Sequence, residues 1–285
     1  MQLSRISLLN LIMQKWSKHP AKHKNPLMTE IYLIKILFLS AVQGMSEFIP
    51  VSSSGLLIIF ENILEIKNNN LLINATMHGG SLAAVIIFFY KDLLGLWKNH
   101  LLLINLIIAT LPVVVIGGLL KYFNLIEQIM NIAVIGYATI FFGVLLFISD
   151  KNKEEKKLTL SISNREAFVI GLYQVLALIP GTSRSGITIT GARFLKFNRV
   201  DAAKFSFLLS IPTLSAAFIL SSYEIAQLHE EPFSSIYLFA FFFSFIFSIL
   251  TIKYFLIFLK TFSLNIFVIF RICLGVVLLT YYYSN

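Results

Sequence analysis

A chain of 285 residues could form one or two soluble domains, but 57% apolar residues, 13% charged residues and a mean hydropathy of +0.82 exclude that class. Apolar runs of about 20 residues, the length that crosses a hydrocarbon core of roughly 30 Å, recur from residue 71 onward, and the short alternating segments of a β-barrel are absent. The net charge of +9 lies in short loops between these runs, so it reports topology rather than a nucleic-acid partner, and the single cysteine, Cys273, excludes disulfides and cysteine-based metal sites.

In chain order, residues 1–27 come first as a basic extension, with Arg5, Lys15, Lys18, Lys22 and Lys24 and no acid. Their one apolar patch, Leu8 to Met13, is short for a secretory signal and lacks a small-residue cleavage site, so the segment reads as an extension or as sequence upstream of a start at Met28. Residues 28–285 form a single membrane domain. Within it, uninterrupted apolar length places crossings at 71–90, 100–121, 129–149, 203–222, 235–258 and 265–283.

Two stretches, 31–64 and 166–198, are each broken in the middle by polar, turn-forming sequence and leave pieces too short to cross. Broken helices at membrane depth need protein or water over the freed backbone, which predicts two re-entrant helix-turn-helix hairpins. A shift of 131 positions places Gln43 on Gln174, Ser52 on Ser183 and Gly55 on Gly186, while Pro50 and Pro180 miss by one. With three crossings between them, the hairpins enter from opposite faces, the pattern of an inverted-topology repeat with a midplane site. Most Lys and Arg between Lys91 and Lys260 then fall on one side, against Lys67 and Lys121 on the other, which makes the first side cytoplasmic.

The hairpin breaks carry the chemistry. Pro180-Gly-Thr-Ser-Arg-Ser-Gly186 ends one helix, turns at Gly181, and offers Thr182, Ser183 and Ser185 as caps for the helix resuming near Gly186. Such a turn aims N–H groups and a positive helix end inward, and Arg184 adds a permanent charge with a fork suited to phosphate oxygens; the alternative is that Arg184 pairs structurally with a buried carboxylate. Gln43-Gly-Met-Ser-Glu-Phe-Ile-Pro-Val-Ser-Ser-Ser-Gly55 supplies Glu47 and the serines Ser52, Ser53 and Ser54, which could cap a helix, line a wet cavity or provide a nucleophile. Together the breaks hold the parts of phosphoryl transfer: a nucleophile or water positioner, a base or metal ligand, and a charge clamp.

His78 is expected at the start of the first crossing, as a hydrogen-bonded interfacial residue or as a proton donor or metal ligand. Lys35, Asp201, Lys204, Lys253 and Arg271 are expected near helix ends, where they can snorkel, with no part in the chemistry. Gln43 and Gln174 could bond across the two hairpins or satisfy broken backbone.

These motifs resemble the undecaprenyl-diphosphatase family of bacterial membrane phosphatases, the bacitracin-resistance proteins. The resemblance runs from about Ile31 to the C-terminus. It adds to the two motifs His78-Gly-Gly-Ser-Leu-Ala83, Ala109-Thr-Leu-Pro112, Phe205-Ser-Phe-Leu-Leu-Ser-Ile-Pro212 and Phe267-Val-Ile-Phe-Arg271. It implies six crossings with two re-entrant hairpins, and hydrolysis of undecaprenyl diphosphate to the monophosphate with Mg2+ or Ca2+, recycling the lipid carrier on the outer side of the inner membrane. It also implies that Glu47, Ser53 and Arg184 are catalytic, with Glu47 at the metal, and that Gln43 is acceptable where some relatives carry glutamate. Gln43, Ser52, Ser54, Gly181, Thr182, Ser183, Ser185 and Gly186 are the expected substrate contacts.

The pattern departs from the family at Leu56, where a histidine usually follows Ser-Gly. Leucine can neither move a proton nor bind a metal, so His78 or water substitutes, or the site is slow or silent. Loss of a general acid or base costs about 100- to 10,000-fold. The expected partners are a polyprenyl diphosphate lipid and the bilayer, with no nucleic acid and a homodimer as an allowed assembly. The rival reading is a carrier that binds or moves polyprenyl phosphate without hydrolysing it.

Overall fold

The computed structural model describes residues 26–64, 70–95, 100–154, 162–227 and 235–284, so the basic extension expected over residues 1–27 lies almost wholly outside the described residues. Every regular element among the described residues is helical: α1 Pro26–Ser46, α2 Ser53–Ile63, α3 Asn70–Phe88, α4 Tyr90–Gly95, α5 His100–Tyr122, α6 Leu125–Ile129, α7 Ile132–Asp150, α8 Asn164–Val175, α9 Arg184–Phe194, α10 Arg199–Gln227, α11 Ser235–Phe258 and α12 Asn265–Ser284. Five of these, α5, α7, α10, α11 and α12, are long and apolar enough to cross a membrane. This makes the chain a multi-pass membrane protein. The apolar part of α3, Leu72–Phe88, is shorter.

Local chemistry explains the boundaries. Asn131 caps α7 by accepting from Val134 N–H, and Ser163 with Glu166 forms a reciprocal capping box at the start of α8. Asp201 and Asn198 bond to each other at the start of α10, so Asp201 serves a helix end. Both expected breaks are present: α1 and α2 are separated by a turn through Pro50, and α8 and α9 by a single 3-10 turn, Leu176–Leu178, followed by Pro180 and Gly181.

The 131-residue offset has a structural counterpart. Ser52 and Ser183 both adopt left-handed backbone, at φ 79° and 69°. Each accepts from the N–H three residues on, Gly55 at 3.4 Å and Gly186 at 3.2 Å. The packing is matched too: α1 lies on α11 as α8 lies on α5, α3 meets α11 as α10 meets α5, and α7 pairs with α12. Both hairpin contacts are close. A Cβ on Gly44 would stand 2.7 Å from the Ser244 carbonyl oxygen, and one on Gly171 would stand 2.7 Å from that of Ala109.

Helix ends fall into two sets. Asp150, closing α7, pairs with Arg193 at the end of α9 and Arg199 at the start of α10, and accepts from the N–H of Leu264 just before α12. Asn105 near the start of α5 donates to the Ile162 carbonyl before α8. In the other set, Lys121 pairs with Glu224, Tyr137 meets Tyr283, and Lys35 donates to the Leu64 carbonyl. Lys35 of α1 thus meets the end of α2, and Arg193 at the end of α9 lies in the Asp150 set.

Candidate active site

The two turns meet. Glu47, only 6% exposed, receives Arg184 Nη2 on Oε1 at 2.8 Å and Gln43 Nε2 on Oε2 at 2.9 Å. Ser53 Oγ lies 3.4 Å from the same Oε2, and His78 Nδ1 lies 3.5 Å from it. A nucleophile candidate, a carboxylate and a guanidinium from opposite halves of the chain therefore form one constellation. Ser185 Oγ donates to the Ile49 carbonyl at 3.0 Å, docking the second turn onto the first.

The remaining predicted residues divide by what they touch. Gln43 is fully buried and its Nε2 also lies 2.9 Å from His78 Nδ1. That nitrogen already gives one hydrogen to Glu47, so it can give the other to an unprotonated Nδ1. Gln43 Oε1 is buried without a partner. Ser52, Ser183 and Ser185 are used by the turns themselves, as caps and as the docking bond. Thr182 is 1% exposed and its hydroxyl has no partner. Gly181 has φ 92°, and an added Cβ would fall 2.5 Å from the Ile135 carbonyl oxygen, so both its conformation and its surroundings require glycine. Gly186 opens the first turn of α9 beneath the Ser183 hydroxyl. The side chain of Ser54 lies outside the described residues.

Two expectations need correction, those for His78 and Arg271, and the open choice at Gln174 is decided. His78 is not at a boundary but within α3, where the helix carries it to Gln43 and Glu47. Gln174 does not bond to the first hairpin; its amide donates to the Ala109 carbonyl of α5 at 3.2 Å, the backbone-satisfying alternative. Arg271 does not snorkel. It is fully buried in α12 and donates to the carbonyls of Thr139 and Gly181 at 3.1 and 3.2 Å.

The sequence reading also missed support around Arg184. Its Nη1 donates to the Ser206 carbonyl at 3.2 Å, and Ser206 Oγ lies 2.7 Å from Thr188 Oγ1. The Phe205–Pro212 motif was the available signal, since it sets Ser206 and Ser210 among apolar residues. Likewise Ser81, Ser244 and Ser248 bond to one another and to the carbonyls of Met77 and Gly44, fixing α3 and α1 on α11 directly behind His78 and Gln43. Leu56 is buried in an apolar cluster with Val42 and Met77, the neighbours of Gln43 and His78.

Comparison with known proteins identifies the family. The family described as bacitracin resistance protein BacA matches residues 36–277. The undecaprenyl-diphosphatase of Pelagibacter ubique (strain HTCC1062) is 42% identical over 254 residues, covering 88% of this chain and 98% of the relative. That of Ruegeria sp. (strain TM1040) is 42% identical over 207 residues, 68% and 78%. The enzyme of Ruegeria pomeroyi is 36% identical over 265 residues, 88% and 99%. With Glu47, Ser53 and Arg184 brought together at the crossing of its two polar turns, the chain belongs to the bacitracin resistance protein BacA family.

Proposed function

We infer that this chain hydrolyses undecaprenyl diphosphate to undecaprenyl phosphate and inorganic phosphate, returning the lipid carrier to cell-wall synthesis and conferring the bacitracin resistance of its family. The observation that carries this reading is the Glu47–Ser53–Arg184 constellation in a chain that matches two undecaprenyl-diphosphatases over 98–99% of their length.

In the proposed reaction Arg184 exchanges Glu47 Oε1 for the oxygens of the diphosphate, where its planar fork binds two at once. Ser53 Oγ, or a water it orients, forms a new bond to the terminal phosphorus while the bond to the bridging oxygen breaks. The departing group is the lipid monophosphate; where Ser53 itself attacks, a water then forms a bond to the same phosphorus as the Ser53 O–P bond breaks, releasing inorganic phosphate and restoring the hydroxyl. The proton of the attacking hydroxyl passes to Glu47 Oε2, and His78 is the second titratable group at hand, its Nδ1 3.5 Å from the same oxygen. The turn from Gly181 to Gly186 presents a helix N-terminus to the anion, with Thr182 and Ser183 in that turn.

A divalent cation fits these residues in one particular way. No group of three or more His, Cys, Asp or Glu among the described residues could cage a metal. The Glu47 carboxylate and the unpartnered Gln43 Oε1 would instead hold Mg2+ or Ca2+ jointly with phosphate oxygens, the usual arrangement for Mg2+. When bound, the ion neutralises charge on the transferring phosphoryl group.

We further propose that α3 is a sixth crossing and that both hairpins are re-entrant from opposite faces of a bacterial inner membrane. The two sets of helix ends support this, and the charges Lys151, Lys153, Arg193 and Arg199 clustered in the Asp150 set support a cytoplasmic side there. The first hairpin then opens to the periplasm, where the diphosphate arrives, while the polyprenyl tail stays in hydrocarbon between helices.

The test is inorganic phosphate released by the purified protein from undecaprenyl diphosphate, with magnesium and with chelator. Magnesium-dependent release is expected. Binding of the lipid without release would instead favour a non-hydrolytic carrier, the role that Leu56 in place of histidine would suit.

A further inference from the structure

Arg271 is a guanidinium that the reaction described above does not use. It is fully buried in an apolar helix, and no carboxylate stands within ion-pair distance of it among the described residues. A cation at such depth is unfavourable unless something else answers its charge. The fold nevertheless makes room for it: a Cβ on Gly143 would lie 3.2 Å from Arg271 Cβ, and one on Gly186 would lie 3.0 Å from Arg271 Nη1. Between these two glycines the side chain passes from α12 to the second turn, where Nη2 and Nε are taken by the carbonyls of Gly181 and Thr139.

Nη1 has no partner. It points to the first turn of α9, two residues past Arg184 and close to Pro50 of the first motif, whose Cβ would be 3.3 Å from the same added atom on Gly186. The Thr182 hydroxyl, in the same turn, is also buried and unpartnered. Two unused donors and one unanswered positive charge thus gather under a helix N-terminus that already carries Arg184.

We propose that Arg271 is a positioning residue for the diphosphate: it fixes the Gly181 carbonyl away from the anion and supplies, through the turn, a second positive charge that draws the phosphate onto α9. This rests on the reading of the site as a diphosphate site. It assigns to α12 a part in substrate binding that its length and apolarity conceal.

The experiment measures binding of inorganic diphosphate to the purified detergent-solubilised protein, alongside the thermal transition of each variant without ligand. Arg271→Gln keeps hydrogen-bond donors but no charge and should weaken diphosphate binding at least tenfold, the scale of one charge-assisted contact. Arg271→Lys keeps the charge and should stay within about threefold of wild type, the size of a few tenths of a decade. Equal affinity in the Gln and Lys variants, or wild-type affinity in Arg271→Gln, would overturn the proposal. If Arg271→Gln is not recovered folded, Gly186→Ala decides, because its Cβ displaces Nη1: weaker binding supports the proposal and unchanged binding overturns it. Turnover of undecaprenyl diphosphate is scored separately, so a protein that binds diphosphate but does not hydrolyse the lipid counts against the proposed reaction and not against Arg271.

Discussion

Glu47→Gln separates a structural ion pair from a working one. The substitution preserves shape, and its amide oxygen can still accept from Arg184 Nη2, now 2.8 Å from the carboxylate. A hydrogen bond to a charged acceptor contributes about 1.5–3 kcal/mol and a neutral one about 0.5–1.5, so the folded protein should lose only about 1–1.5 kcal/mol. If Glu47 takes the proton of the attacking hydroxyl, turnover should fall about 100- to 10,000-fold, equivalent to roughly 3–5 kcal/mol of barrier. The barrier effect therefore exceeds the stability effect about two- to fivefold. Arg184 is also released from its counter-charge, so in the absence of divalent cations inorganic diphosphate should bind the variant at least as tightly as wild type. The assays are phosphate release, the detergent thermal transition and diphosphate affinity on one preparation. Activity within tenfold of wild type would refute the assignment of Glu47. So would a loss of activity matched by unfolding, which would make the pair structural.

Other expectations follow from the turns and their supports. Gly181→Ala forces an L-residue to φ 92° and drives a Cβ to 2.5 Å from a backbone oxygen; the left-handed penalty of about 1–2 kcal/mol plus overpacking of about 1–3 kcal/mol should lower the thermal transition sharply. Gly80→Ala places a Cβ 2.3 Å from the Phe241 carbonyl oxygen. It should part α3 from α11 at a cost of about 1–3 kcal/mol and displace His78, seen as lower turnover in the fraction that remains folded. Leu56→His introduces a titratable group at a position that packs beside the neighbours of Gln43 and His78. It should raise turnover, by up to about 100-fold if wild type lacks a general acid, whereas unchanged or lower turnover would mean that His78 or water already serves.

Much of this architecture was legible because membrane helices are written in uninterrupted apolar length and broken by Pro, Gly and Ser. The helices over 100–122, 132–150, 235–258 and 265–284 lie within a few residues of the runs that predict them. The offset that aligned Ser52 with Ser183 proved to be a shared backbone conformation, since a serine cap at a left-handed corner leaves the same sequence trace twice. Long side chains were less legible. Arg271 lies in the first half of an apolar helix, where sequence cannot distinguish a residue reaching outward to the interface from one threading between two glycines to another turn. His78 was misplaced for a related reason: apolar length fixes where a helix lies, but not which neighbour's polar group meets a given turn. Gln174 had two plausible partners in sequence, and the close approach of α8 to α5 at Gly171 chose the Ala109 carbonyl.

The central claim is that the two polar turns form one phosphate-hydrolysing site joined at Arg184. Phosphate release from undecaprenyl diphosphate in magnesium, compared between wild type and Arg184→Ala, tests it most directly. Release by wild type, with loss to background in a variant that keeps its thermal transition within a few degrees, is the expected result. Near-normal release by Arg184→Ala would contradict the account.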